Sequence, residues 1–128
     1  MSTILIVEDS EKNLKLVRDV LRHRGHATVE AMTGRDGLRL AREARPDLIL
    51  MDIQLPDLDG ISALRELRAD AAFERTAMIA ISASVMPGDQ QKIIASGFDA
   101  YITKPINVKQ FIETVEGHLA RAQDSRSR

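Results

Sequence analysis

Three segments of the chain are apolar without interruption, and they predict strands that are buried on both faces. They are residues 4–7, 48–51 and 77–81. A strand with one wet face alternates apolar and polar residues, whereas a central strand of a parallel sheet does not. Residues 27–31 and 100–103 mix polar and apolar positions, which indicates strands at the two edges of the same sheet.

Between these strands, apolar residues recur at helical spacing. Amphipathic helices are predicted over about residues 11–24, 34–44, 61–67, 88–96 and 108–119. In the first helix Leu14, Val17 and Leu21 form the apolar stripe, and Leu16 and Val20 widen it. In the last helix the whole stripe from Val108 to Leu119 is predicted to be core.

The fourth helix carries the thinnest apolar stripe, chiefly Ile93 and Ile94. It is therefore expected to be the least firmly packed helix. Residues 68–75, before the fourth strand, are interpreted as a polar loop.

Strands that alternate with helices predict an α/β fold with a parallel sheet covered on both faces. The apolar strands belong in the centre and the mixed ones at the edges, and right-handed crossovers then give the strand order 2-1-3-4-5. At 128 residues the chain is expected to form one domain over residues 1–121, followed by a short polar tail at 122–128.

Composition narrows the function classes. A formal net charge of −1 and a 3% aromatic content disfavour nucleic acid as a partner, and the absence of cysteine excludes disulfides and thiol chemistry. No apolar run is long enough to span a membrane, and no signal peptide precedes the first strand. We therefore expect a cytoplasmic protein without membrane contact.

Chemistry-bearing residues follow the carboxyl ends of the predicted strands. They are Glu8, Asp9, Asp52, Ser82 and Lys104. In a doubly wound sheet the ligand crevice lies at these ends, beside the switch point between strands one and three. The sequence therefore predicts that the five side chains share one crevice.

The charges of this crevice do not balance. Two like charges about 4 Å apart repel by roughly 4 kcal/mol at an effective dielectric of about 20, and one lysine cannot offset three carboxylates. Either some carboxylates are protonated or a divalent cation is bound, and oxygen ligands suit Mg²⁺, with Mn²⁺ also possible. With Asp52 as nucleophile, and a metal, Lys104 and Ser82 to stabilise the transferred group, phosphoryl transfer fits.

Each residue also has a structural interpretation when it is taken alone. Asp9 could cap the first helix, although Ser10 could equally do so, and Lys104 is by default a solvated charge. Ser82 could be a turn residue. Asp57 and Asp59 are interpreted as loop and cap residues.

Five motifs in register resemble the receiver domain of two-component response regulators over residues 3–121. The motifs are Glu8-Asp9, Met51-Asp52, Pro56-Asp57-Leu58-Asp59-Gly60, Ser82-Ala83 and Lys104-Pro105. Within the family, residues 86–89, 97–101 and 104–106 look most like stand-alone regulators and the receivers of hybrid histidine kinases. The resemblance implies a single flavodoxin-like (CheY-like) domain with five parallel strands and five helices.

The resemblance also implies roles. Asp52 would accept phosphate from a phosphohistidine, and Ser82 and Lys104 would contact the phosphoryl group. Asp9 and Asp52 would bind Mg²⁺ directly, with the main-chain carbonyl of Gln54 as third protein ligand and Glu8 acting through water. The Gln54 and Ser84 side chains would line the path of the hydrolytic water.

Two further expectations concern shape and switching. The Lys104–Pro105 peptide bond is predicted to be cis. Phosphorylation is predicted to draw the Ser82 hydroxyl towards Asp52 and to leave space for the Tyr101 ring, which would repack the face formed by helix four, strand five and helix five.

The leading function hypothesis is a signalling switch that is phosphorylated on Asp52. Only nine residues follow Leu119, so output is expected through contact with a sensor or hybrid histidine kinase, a histidine phosphotransfer protein or a downstream target protein. A relay intermediate and an unphosphorylated interaction module are the alternatives. An aspartyl phosphohydrolase is disfavoured because its second Asp is replaced here by Gln54, although self-phosphorylation and autodephosphorylation remain expected.

Overall fold

The fold was analysed in a computed structural model that describes residues 2–83 and 86–127, with the side chains of Pro87 and residues 122–127 excepted. The elements alternate along the chain. They are β1 (Thr3–Val7), α1 (Glu11–His23), β2 (Ala27–Ala31), α2 (Gly34–Ala44), β3 (Leu48–Asp52), α3 (Gly60–Arg68), a 3₁₀ turn (Ala71–Phe73), β4 (Ala77–Ser82), α4 (Pro87–Ala95), β5 (Ala100–Thr103) and α5 (Val108–Ser127).

The strands form one parallel sheet in the order β2-β1-β3-β4-β5, which confirms the predicted topology. Every residue of β3 and β4 is buried, whereas β2 is mostly half-buried, as expected of an edge strand. The sheet reverses its strand order between β1 and β3, so the crevice predicted from the sequence opens between these two strands.

Successive side chains of each central strand point to opposite faces of the sheet, so the core has two layers. Ile4 and Ile6 of β1 face the layer that contains residues of α1 and α5, such as Phe111. Leu5 and Val7 face the layer that contains residues of α2, α3 and α4, such as Leu64. Both faces of the sheet are therefore covered by helices.

Two residues of the predicted apolar stripes are exposed. Val108 on α5 is 42% exposed, so the prediction that it belongs to the core was wrong, and Leu16, which widens the stripe of α1, is 37% exposed. Their neighbours on the same stripes, Val20 and Ile112, are partly buried against the core. The apolar stripe of each helix is therefore wider than the part of the helix that packs against the sheet.

The segment before β4 is also more ordered than a polar loop. It contains the 3₁₀ turn, and Phe73 is buried in the core layer of α2 and α3. Arg68 holds this segment by donating hydrogen bonds to the carbonyl oxygens of Phe73 and Thr76, both at 2.9 Å.

The helices begin as their capping residues predict. Ser10, Thr33, Asp59 and Asn107 each accept a hydrogen bond from a main-chain N–H in the first turn of α1, α2, α3 and α5, respectively. Among the described side chains none caps α4, where Ile94 is 43% exposed and Ile93 is buried. Within the described residues, no helix has the length and apolar character needed to cross a membrane.

Candidate functional site

The register of the parallel strands brings the predicted site residues to one edge of the sheet. Val7 pairs with Met51, so Glu8 and Asp9 follow β1 beside Asp52, the last residue of β3. Ser82 ends the next strand, and Lys104 follows β5, which pairs with β4. The main-chain N–H of Lys104 donates to the Ser82 carbonyl at 2.9 Å, which fixes Lys104 at this edge.

Asp52 is a buried carboxylate, 3% exposed, with a donor at each oxygen. Its Oδ1 accepts a hydrogen bond from the Gln54 main-chain N–H at 2.9 Å. Its Oδ2 accepts one from Lys104 Nζ at 2.8 Å. The buried charge is therefore paired, as burial of an ionised group requires.

Glu8 is fully buried beside the same ammonium. Lys104 Nζ lies 3.0 Å from Glu8 Oε1 as an ion pair. The geometry does not qualify as a hydrogen bond, so Oε1 has no hydrogen-bond partner among the described residues. Glu8 Oε2 accepts a hydrogen bond from the Ser10 main-chain N–H at 3.2 Å.

Burial and neighbouring charges shift the pKa of both Glu8 and Lys104. Burial raises the pKa of Glu8 to about 7, the Asp52 carboxylate adds to this effect, and Lys104 opposes it. Burial alone would lower the pKa of Lys104, but its hydrogen bond with Asp52 and its ion pair with Glu8 outweigh burial and raise that pKa above its ordinary value. The ammonium is therefore held in its charged form.

Three carboxylates of this edge are arranged as a cation site. One oxygen each from Glu8, Asp9 and Asp52 lies within 4.8 Å of the other two. Asp9 is exposed, and Glu8 Oε1 is a buried acceptor without a hydrogen-bond donor. A hard cation with oxygen ligands would satisfy both the excess negative charge and the orphaned oxygen, so the residues fit Mg²⁺.

The remaining predicted residues lie around this cluster. Ser82 is buried at the end of β4, and the Lys104–Pro105 peptide bond is cis, which confirms the predicted bond geometry. Gln54 lies in the loop directly after Asp52 and is exposed. Ser84 lies outside the described residues.

Tyr101 is not part of the carboxylate cluster and contacts α4 instead. Its side chain is half-buried, and its hydroxyl donates a hydrogen bond to Gln90 Oε1 at 2.8 Å. Tyr101 also lines a groove of about 490 Å³ between β5 and α5, to which Ile94 of α4 contributes. The ring therefore lies where α4, β5 and α5 meet.

A close backbone approach explains Gly60 in the loop after Asp52. A Cβ atom at this position would lie 2.5 Å from the Asp52 carbonyl oxygen and 2.9 Å from Ile53 Cα. The Gly60 N–H donates to the Ile53 carbonyl at 2.9 Å, so this hydrogen bond joins the two ends of the loop that follows Asp52. Only glycine allows this approach.

Sequence reasoning missed the contact made by Asp57. Its Oδ1 accepts a hydrogen bond from the Gly34 N–H at 2.7 Å, and its Oδ2 accepts one from the Arg35 N–H at 3.1 Å. The Gly34 hydrogen bond lowers the pKa of Asp57. No local pattern predicts this contact, because it joins two segments 23 positions apart.

A sequence profile of the response regulator receiver domain matches residues 4–116. The chain belongs to the response regulator receiver domain family. This confirms the resemblance carried by the acidic, serine and lysine motifs of the site.

Two kinds of family member are similar to this chain over nearly its whole length. The polar-differentiation response regulator DivK of Brucella anthropi is 45% identical over 120 residues, which cover 94% of this chain and 98% of DivK. The receiver domain of the sensor histidine kinase PA1611 from Pseudomonas aeruginosa is 33% identical, with a TM-score of 0.86, over 93% of this chain and 98% of that one. That structure is described with a magnesium ion coordinated in the active site cleft.

The chemotaxis response regulator CheY4 of Vibrio cholerae has the same fold. It is 25% identical, with a TM-score of 0.88, over 92% of this chain and 98% of CheY4. The predicted CheY-like architecture is thereby confirmed. The chain is accordingly a receiver domain homologous to DivK, and phosphorylation-gated signalling fits its site.

Proposed function

We propose that this receiver domain accepts a phosphoryl group on Asp52 from the phosphohistidine of a partner protein. The observation that carries the proposal is the buried Asp52 carboxylate, paired with Lys104 at 2.8 Å beside Glu8 and Asp9. In the reaction an Asp52 oxygen attacks phosphorus, the phosphorus–nitrogen bond breaks, and the departing imidazole nitrogen takes up a proton. Asp52 thus becomes an acyl phosphate.

Mg²⁺ is the proposed cofactor. Asp9 and Asp52 would bind it directly, the Gln54 main-chain carbonyl would be the third protein ligand, and Glu8 would act through water. When bound, the ion supplies positive charge that neutralises phosphoryl oxygens. The orphaned Glu8 oxygen and the magnesium described in the PA1611 receiver support this assignment, and no observation favours Mn²⁺ over it.

Lys104 and Ser82 would stabilise the transferred group. The ammonium is already within hydrogen-bond distance of Asp52, so it would move little to contact a phosphoryl oxygen. Ser82 is buried at the adjacent strand end and carries the hydroxyl that would donate to a second oxygen. The paired donors replace water around the developing charge.

Phosphorylation would be transmitted through Ser82 to Tyr101. Ser82 ends β4, and Tyr101 lies on the neighbouring β5 in contact with Gln90 of α4. Movement of the Ser82 hydroxyl towards the phosphoryl group would change the space available to the Tyr101 ring. Helix α4, whose N-cap residue Met86 makes no side-chain capping hydrogen bond and whose Ile94 is exposed, is the proposed mobile element.

Receiver domains interact with histidine kinases and downstream targets. For this chain we propose a sensor or hybrid histidine kinase, or a histidine phosphotransfer protein, as phosphodonor. A downstream protein target would bind the face of α4, β5 and α5 with an affinity set by the phosphorylation state of Asp52. Autodephosphorylation would return the protein to its resting state.

Incubation with excess acetyl phosphate and Mg²⁺ tests the proposal. We expect one phosphoryl group per chain, which decays once the acetyl phosphate is removed, and release of phosphate no faster than that decay. The Asp52→Asn variant is the matched control, because it keeps the side-chain shape and removes the nucleophile. Rapid multiple turnover of a phosphomonoester would instead indicate a phosphohydrolase, and no phosphoprotein would indicate an unphosphorylated interaction module.

A further inference from the structure

The loop between β3 and α3 (residues 53–59), called here the β3–α3 loop, is fixed at its far end by Asp57. We propose that Asp57 is a positioning residue for the phosphorylation site, because its carboxylate binds this loop to the first turn of α2 and thereby strengthens Mg²⁺ binding. The proposal rests on the proposed function, in which the Gln54 carbonyl of the same loop is a metal ligand.

The first turn of α2 distributes its main-chain donors between two side chains. The N–H groups of Gly34 and Arg35 donate to Asp57, at 2.7 and 3.1 Å. The next N–H, that of Asp36, donates to Thr33 Oγ1 at 3.1 Å. Thr33 is a local cap, whereas Asp57 comes from the β3–α3 loop, so one helix end carries a structural cap and a long-range clamp.

The clamp is closely fitted on the loop side. A Cβ atom at Gly34 would lie 2.9 Å from Leu58 Cβ and 3.2 Å from the Leu58 carbonyl oxygen. Gly34 therefore lets the loop lie directly against the helix end. Leu58 is partly buried in the core layer below, which holds the loop in the same place from the inside.

On its other side α2 is packed on the strand that carries the acidic pair. A Cβ atom at Gly37 would lie 2.8 Å from a methyl carbon of Val7, the residue before Glu8 and Asp9. Asp57 thus connects two halves of the metal site. One half follows β1, and the other, Gln54 with Asp52, follows β3.

At its near end the β3–α3 loop is held by hydrogen bonds that do not involve α2. The Ile53 N–H donates to the Ile81 carbonyl at 3.0 Å, and the Gln54 N–H donates to Asp52 Oδ1 at 2.9 Å. Loss of Asp57 should therefore leave Asp52 in place and loosen the segment from Gln54 to Leu58. The affected property is the placement of the Gln54 carbonyl.

Mg²⁺ binding to purified full-length variants, measured by titration calorimetry, tests this. Asp57→Ala is expected to raise the dissociation constant about threefold or more, since an exposed helix cap shifts a local equilibrium by about that factor. Asp57→Asn, which keeps one acceptor oxygen, should be intermediate. Thr33→Ala removes the local cap of α2, and Asp36→Asn removes an exposed charge from the same turn; both should bind Mg²⁺ like the wild type.

A second readout separates positioning from simple stabilisation. The two equilibria are linked. If the contact between Asp57 and the first turn of α2 strengthens Mg²⁺ binding, bound Mg²⁺ must stabilise that contact by the same free energy. Saturating Mg²⁺ should therefore slow hydrogen exchange of the Gly34 and Arg35 amides in the wild type and in Thr33→Ala. The slowing should be absent in Asp57→Ala.

The outcomes are distinct for the two proposals. If the wild type binds Mg²⁺ and Asp57→Ala binds it equally well, Asp57 is only a structural cap and this inference is wrong. If Asp36→Asn weakens binding as much as Asp57→Ala, the effect is one of charge, and the inference is again wrong. If the wild type itself does not bind Mg²⁺, the proposed function fails and this inference fails with it.

Discussion

Nζ of Lys104 lies 2.8 Å from Oδ2 of Asp52, although the two residues are 52 positions apart in the chain. The same ammonium lies 3.0 Å from Glu8 Oε1, so it forms ion pairs with two buried carboxylates. The Asp9 carboxylate lies close to both of them. The site therefore holds more negative than positive charge, and this imbalance underlies the predictions that follow.

Mg²⁺ should stabilise the folded protein. A ligand that binds only the folded state adds RT ln(1 + [L]/Kd), about 1.4 kcal/mol at ten times the dissociation constant. We expect the melting temperature of the wild type to rise with millimolar MgCl₂ and that of Asp9→Asn to rise much less. Asp19→Asn, which removes an exposed carboxylate from α1, should respond like the wild type; equal melting temperatures with and without Mg²⁺ would argue against the site.

Replacing Lys104 by methionine should destabilise the protein in Mg²⁺-free buffer. The change keeps the length of the side chain but leaves Asp52 without its ammonium partner, at a cost of about 1–3 kcal/mol. Mg²⁺ should recover more stability in Lys104→Met than in the wild type, because it supplies the missing charge.

Lys92→Met, at an exposed position on α4, is the control for Lys104→Met. Chemical denaturation of both variants with and without Mg²⁺ measures the effect. Wild-type stability of Lys104→Met in the absence of metal would contradict the account of the ion pair.

Two glycine substitutions should act in opposite directions. In Gly60→Ala the new Cβ would lie 2.5 Å from the Asp52 carbonyl oxygen, so overpacking should cost about 1–3 kcal/mol and weaken Mg²⁺ binding. In Gly117→Ala on α5, the new Cβ meets no atom of the described residues within 4 Å apart from the neighbouring helix backbone, so helix propensity should add about 0.5–1 kcal/mol. Denaturant titrations of the pair would show the contrast; a stabilised Gly60→Ala would refute the close approach.

A phosphate mimic should change the environment of Tyr101. Beryllofluoride with Mg²⁺ is expected to shift the NMR signals of Tyr101, Gln90 and Ile94, because the Tyr101 hydroxyl loses or changes its 2.8 Å hydrogen bond with Gln90. In Ser82→Ala the mimic should still bind while these shifts diminish. Unchanged signals on α4 and β5 in the wild type would rule out the proposed route from Ser82 to Tyr101.

The sheet and the convergence of its chemistry were predictable from sequence because both follow from local rules. Four consecutive apolar residues before Asp52 predict a strand that is buried on both faces. A carboxylate directly after them is then expected at the carboxyl end of that strand, where the crevice lies. Once the strands are ordered, parallel register alone brings Asp52, Ser82 and Lys104 together. The five motifs then specify the family.

What sequence did not reveal depends on the placement of one element against another. A helical wheel puts Leu16 and Val108 on apolar stripes but does not say where the sheet stops covering them, and both are exposed. The contact of Asp57 with Gly34 joins the β3–α3 loop to the first turn of α2, and the distance between them is set by the packing of α2 and α3. Similarly, Glu116 of α5 pairs with Arg24 at 2.6 Å through the relative position of two helices.

The phosphoacceptor itself can be identified by mass spectrometry of the protein after incubation with acetyl phosphate. We predict that the wild type gains the mass of one phosphoryl group only when Mg²⁺ is present, that the modified peptide contains Asp52, and that Asp52→Asn gains nothing. Modification that persists in Asp52→Asn, or that proceeds equally in the presence of a chelator, would contradict Mg²⁺-dependent phosphorylation of Asp52.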